Sequence, residues 1–151
     1  MLNIGEKVKN FSLPDQFGQI HHLDDYRGHR VVIYFYPKDD TTACTRQACA
    51  FRDNYDAFKD RDIIVIGISK DSPKRHENFV KKYNLPFILL SDESCEIIKY
   101  FGVWVEKKMY GRSYMGIKRS TFILDEQGII THVFEKASPK ENASDILKAL
   151  K

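Results

Sequence analysis

A chain of 151 residues with 42% hydrophobic and 30% charged residues has the apolar content for one buried core and too much of it for a disordered chain. Its formal net charge is only +3, and no basic stripe runs along it, so a nucleic-acid partner is not expected. Lys107-Lys108 and Lys118-Arg119 are the densest basic spots, and Lys107, Lys108 and Lys118 read as solvated surface charge. No segment approaches the ~18 apolar residues of a membrane helix. The first residues, Met1 to Glu6, lack a basic n-region followed by an apolar h-region. The expectation is a single domain, 1–151, in the cytoplasm.

Taken in chain order, Phe11 to Leu13 and Gln19 to Leu23 flank the turn-rich stretch Pro14-Asp-Gln-Phe-Gly18, which predicts an N-terminal β-hairpin. Val31 to Tyr36 is a continuous β-branched and aromatic run, the pattern of a strand buried on both faces. A helix is expected from Thr42 to Asp60, with Ala48, Phe51, Tyr55 and Phe58 on one face. Ile63 to Ile68 is a second buried strand, and strand–helix–strand order makes the two parallel. Ser72 and Pro73 supply an N-cap and a first helical residue, with Phe79, Val80 and Tyr83 facing inward. Phe87 to Leu90 is a short strand, and Glu96 to Phe101 a short helix stopped by Gly102. Thr121 to Leu124 and Ile129 to Phe134 flank Asp125-Glu-Gln-Gly128, another hairpin. Pro139 opens a last helix with Ile146, Leu147 and Leu150 inward. Parallel central strands followed by an antiparallel hairpin and a helix predict an α/β, thioredoxin-like fold, with a central mixed sheet flanked by helices. Fold alone does not give function.

The chain has three cysteines, too few and of the wrong parity for a secreted disulfide scaffold. Their placement is more informative. The strand ends at Tyr36, Pro37 cannot continue its ladder, and Thr41 is a good N-cap for the next helix. Cys44 then falls in the first turn, where free N–H groups and the helix dipole favour thiolate over thiol, the reactive form. The Thr41 hydroxyl is expected within reach of the sulfur or of a bound oxygen. A plain alternative is that Cys44 is a small buried hydrophobe.

Cys49 follows five residues later. In a regular helix that separation rises ~7.5 Å and turns about 140°, leaving the Cα atoms roughly 8.6 Å apart. A disulfide needs about 4.4–6.8 Å. The pair can bond only if the helix start unwinds, from Thr42 to about Phe51. Two unrelated cysteines, with Cys49 packed on the core, is the alternative. Cys95, in a short helix with no cysteine near it, reads as structural or incidental. No metal is expected. Cys44 and Cys49 lack the second ligand pair of a zinc site, and His21, His22, His29, His76 and His132 are scattered and read as surface or strand residues.

Pro37-x-x-x-Thr41-x-x-Cys44 resembles the active-site signature of peroxiredoxins. The wider run from Phe35 to Asp53 is similar to the bacterioferritin-comigratory, or peroxiredoxin Q, subfamily. The likeness continues through Gly67-Ile-Ser69, Leu89-Leu-Ser-Asp92, Phe101-Gly-Val-Trp104 and Tyr114 to Phe122, nearly the whole chain. The resemblance implies a peroxidatic Cys44, a resolving Cys49, a Thr41 hydroxyl bonded to thiolate and peroxide, a Pro37 that shapes the pocket, and a pocket Arg119. It implies reduction of hydroperoxides, recycling by thioredoxin, no cofactor, and a monomer, although related enzymes also dimerise. Thr42-Ala43 replaces the Pro-Gly of many relatives, a change expected to alter how readily the helix unwinds. Cys95 is a second departure, bearing on which thiol resolves. The rival classes are a thioredoxin-type disulfide reductase, which normally uses Cys-x-x-Cys, and a non-catalytic binding module on the same fold.

Overall fold

The computed structural model describes residues 1–150. A five-stranded mixed sheet organises the chain, built from β3 (Arg30–Phe35), β4 (Ile63–Ser69), β5 (Ile88–Ser91), β8 (Ser120–Leu124) and β9 (Ile130–Phe134). The strand order is β5-β4-β3-β8-β9. β3, β4 and β5 are parallel, and β8 and β9 complete the sheet antiparallel. As expected, the chain opens with an antiparallel hairpin, β1 (Ser12–Pro14) and β2 (Ile20–His22).

Period-two alternation along β3 divides the core. Val31, Ile33 and Phe35 face one side, where Phe101, Val103, Phe122 and Leu124 join them. Val32, Tyr34 and Tyr36 face the other, with Ala48, Phe51, Phe58, Phe79 and Ile146. The second side carries α1 (Thr42–Asp53), α2 (Tyr55–Asp60), α3 (Pro73–Tyr83) and α5 (Asn142–Ala149), whereas α4 (Glu96–Phe101) covers the first. Gly67 in β4 is sterically required. A Cβ there would stand 2.7 Å from Leu89 and 2.8 Å from the Tyr34 ring.

Three expectations need correction, and one element lies outside them. The single helix over 42–60 is two, because Asn54 leaves helical geometry (φ −102°, ψ 8°) and its side-chain amide donates to the Ala50 carbonyl at 2.8 Å, a local bond that competes with the backbone ladder. The last helix begins at Asn142, not Pro139. Cys95 precedes α4 as its N-cap, in the left-handed region (φ 62°). A further hairpin, β6 (Trp104–Met109) and β7 (Arg112–Ile117), stands apart from the main sheet. It turns at Tyr110 and Gly111, both at positive φ, the geometry of a two-residue hairpin turn. The 3₁₀ turn Leu23–Tyr26 follows β2.

Candidate active site

Cys44 sits where β3 hands over to α1. Thr41 has extended dihedrals (φ −86°, ψ 158°) and is the N-cap, which places Cys44 at the third helical position. The Thr41 hydroxyl does not cap the helix. It donates instead to the Lys38 carbonyl at 3.1 Å, so its proton points away from the sulfur and its lone pairs remain to accept. The first turn of α1 also contains no acidic residue. The N–H groups at this helix start are therefore left to whatever negative charge lies beside them.

Arg119 reaches that position from the loop between β7 and β8. Its Nη2 donates to Cys44 Sγ at 3.3 Å, and its Nη1 donates to Gln47 Oε1 at 2.7 Å. Gln47 in turn donates to Asn142 Oδ1 at 3.3 Å, which also accepts from the Thr121 hydroxyl at 2.8 Å. A chain of buried amides thus orients the guanidinium, and it links α1 to α5 and β8. Sequence reasoning missed Gln47 and Asn142. Gln47 was detectable, since it lies three residues after Cys44 and four before Phe51, on the inward face.

Cys44 is only 1% exposed. Arg119 also lines a cavity of about 520 Å³ together with Val105, Glu106, Lys107, Lys118, Lys136 and Ala137. Lys107 is not a freely solvated charge as expected. Its aliphatic stem passes over Gly116, 3.2 Å from where a Cβ would stand. Burial, then the Arg119 guanidinium, push its pKa down. Lys118 is not freely solvated either: it is half-buried and paired with Glu135 at 2.6 Å. Pro37 is half-buried at the head of the active-site loop.

All three cysteines are free thiols. Cys49 is half-buried on α1, so helix geometry holds it away from Cys44. Burial, and then the Asp92 carboxylate, raise the Cys95 pKa. His76, expected near the surface, is fully buried. It faces inward because it precedes Phe79 by three residues, and its Nδ1 lies 2.6 Å from Asp39 Oδ2. No helix is long and apolar enough to cross a membrane among the described residues.

Comparison with known proteins places the chain that builds this arrangement in a family. Residues 4–133 match the AhpC/TSA family model. The chain is 43% identical over 149 residues to a putative peroxiredoxin Bcp of Coxiella burnetii, covering 99% of each chain. It is 41% identical over 150 residues to peroxiredoxin Bcp of Bacillus subtilis, covering 99% of this chain and 96% of that one. Among solved structures, a cysteine mutant of PrxQ from Xylella fastidiosa superposes with a TM-score of 0.95 at 31% identity, covering 99% of this chain and 96% of that one. The bacterioferritin comigratory protein of Xanthomonas campestris, studied for alkyl peroxide reduction, gives 0.88 at 36% identity, covering 93% and 89%. The chain belongs to the AhpC/TSA family, in its Bcp/PrxQ peroxiredoxin branch.

Proposed function

We propose that this protein reduces hydrogen peroxide and organic hydroperoxides with Cys44 as nucleophile and Cys49 as resolving thiol. The Cys44 thiolate attacks one peroxide oxygen, the O–O bond breaks, and the electron pair leaves with the other oxygen as alkoxide or hydroxide, which takes up a proton. Negative charge moves from sulfur onto both oxygens during this step. Arg119 and the uncapped N–H groups of α1 are fixed donors aimed at that charge. A guanidinium suits the task because it stays ionised and offers several donors in one plane. The Thr41 hydroxyl, its proton held by Lys38, can accept the hydrogen of the peroxide. Pro37 shapes the wall of the site, and the cavity beyond Arg119 has room for an organic group.

The product is a Cys44 sulfenic acid. Once the start of α1 unwinds, the Cys49 thiol displaces water from it, forming a disulfide and protecting Cys44 from further oxidation. A dithiol protein of thioredoxin type then takes over the disulfide and restores both thiols. The reading calls for no cofactor or metal and no nucleic-acid or membrane partner. The free cysteines suit a reducing compartment, the cytoplasm. Cys44, Gln47 and Arg119 come from one chain, so a monomer acting as one domain over 1–151 suffices.

The observation that carries this reading is the 3.3 Å contact from Arg119 Nη2 to Cys44 Sγ. The test is steady-state peroxide consumption with thioredoxin as electron donor, on wild type and on Cys49→Ser. Wild type should turn over, and Cys49→Ser should complete one peroxide reduction and then stall as the sulfenic acid. Full sustained turnover by Cys49→Ser would remove Cys49 from the cycle.

A further inference from the structure

The loop Pro37 to Thr41 that delivers Cys44 is fastened to the molecule from below by groups that the chemistry does not use. Asp39 is 4% exposed and His76 fully buried. Asp39 Oδ1 accepts from the Tyr36 hydroxyl, and Asp39 Oδ2 lies 2.6 Å from His76 Nδ1. The Asp39 backbone N–H donates to Asp71 Oδ2 at 2.8 Å, which also accepts from the Ser69 hydroxyl at 2.8 Å. Next in the chain, Asp40 takes left-handed dihedrals (φ 59°). It is held there by Lys82 at 2.8 Å and the Tyr83 hydroxyl at 2.7 Å. His76, Lys82 and Tyr83 all lie on α3, so α3 is the platform for the loop.

Proton accounting makes the Asp39–His76 contact specific. His76 Nε2 faces the Leu90 carbonyl at 3.1 Å. A carbonyl only accepts, so Nε2 carries hydrogen. Nδ1 then has no hydrogen in the neutral ring, yet it meets a carboxylate oxygen, which also only accepts. Two facing lone pairs at that distance repel, so a second proton sits between them, on ring or carboxyl. A bound metal is not the explanation. Asp39, Asp71 and His76 do place donor atoms within 4.8 Å of one another. Those atoms are already engaged, with Asp71 Oδ1 on Arg75 at 3.2 Å and its Oδ2 on two donors.

We propose that His76 is a positioning residue for Cys44: through a buried hydrogen bond to Asp39, whose proton lies between ring and carboxylate, it bolts the Pro37–Thr41 loop to α3 and fixes the start of α1 against Arg119. Breaking the pair on the His76 side leaves the loop tied by the Tyr36 hydroxyl, by Asp71 and by the exposed Asp40 contacts. The sulfur then spends less time aligned with its guanidinium. The inference rests on Cys44 as nucleophile, but the pair can be tested without turnover.

Asp39→Asn separates hydrogen bonding from the shared proton. The asparagine amide can donate to Nδ1 while its oxygen still accepts from Tyr36 and Nε2 keeps its proton. Each of these bonds can survive, with a fixed amide hydrogen in place of the transferable proton. Three measurements decide the matter. In wild type, proton NMR with ¹⁵N-labelled histidine should find a far-downfield resonance at His76 Nδ1, absent from Asp39→Asn. In stopped flow with hydrogen peroxide, His76→Phe should slow oxidation of Cys44 about 10- to 100-fold, as expected when a reacting group is misplaced. Asp39→Asn should stay within about threefold of wild type on the same scale. If His76→Phe does not fold, Asp39→Ala, which removes the bond to His76 from the loop side together with that from Tyr36, takes its place. The proposal is overturned by a missing downfield proton in wild type, by a His76→Phe or Asp39→Ala rate equal to wild type, or by Asp39→Asn as slow as those variants. Should wild type itself consume no peroxide, the functional reading fails, and the resonance still tests the pair.

Discussion

Two cysteines stand at two helix starts in this molecule, and the chain treats them oppositely. At α1, Thr41 turns its hydroxyl away to Lys38 and leaves the first turn uncapped, and a guanidinium touches the sulfur of Cys44. At α4, the Asp92 carboxylate accepts from the Ile98 N–H at 2.7 Å, and Glu96 adds a negative charge in the first turn. The donors that could steady a Cys95 thiolate are thus engaged by carboxylate, and burial together with Asp92 keeps that thiol protonated. A helix start near a cysteine is not enough for reactivity. What decides is whether the chain has already spent the helix's free N–H groups on an anion of its own.

The comparison can be broken most decisively by Cys44→Ser, which should abolish hydroperoxide consumption, whereas Cys95→Ser should leave it intact. Retained turnover in the first variant, measured as peroxide loss, would end the assignment. Arg119→Ala comes next, with oxidation of Cys44 slowed about 10²–10³-fold, the usual cost of losing one donor to developing charge. An unchanged rate in stopped flow would place the guanidinium outside the reaction. In oxidised protein, peptide mapping should find a Cys44–Cys49 link, and a dominant Cys44–Cys95 link would reverse the roles of the two remaining thiols. The smallest effect concerns Cys95 itself. Because its pKa is raised, iodoacetamide labelling of Cys95 at neutral pH should be slow and should climb as pH rises past the range of an ordinary thiol. Asp92→Asn should shift that climb to lower pH. Fast neutral labelling of Cys95 would show that burial and Asp92 do not restrain it.

Much of this contrast was legible in the residues. The run Val31 to Tyr36, the break at Pro37 and the cap at Thr41 place Cys44 in a helix's first turn, because buried strands, ladder-breaking prolines and N-caps are local signals. Arg119 was not readable from spacing. It lies 75 residues from Cys44, and only resemblance singled it out. Gln47, His76 and Asn142 went unread because a polar residue on a helix is usually solvated. Their burial depends on which strand or loop lies opposite. The β6–β7 hairpin escaped for a related reason. Its strands are charged and partly exposed, with Tyr110 97% exposed at the tip, so neither hydrophobic period nor an Asn-Gly turn announces it.

The interruption at Asn54 sets a boundary on any melting that begins at Thr42. Because α1 and α2 are separate helices, loss of the first does not propagate cooperatively into the second. Phe58 can stay locked in the core while the segment ahead of it comes loose. Phe51, stacked on Tyr34 with ring centroids 4.7 Å apart, is the last firm hold before that boundary. The redox cycle would therefore rearrange about three turns of one helix, and the rest of the protein would serve as a rigid frame to which the loosened stretch returns when its thiols are restored.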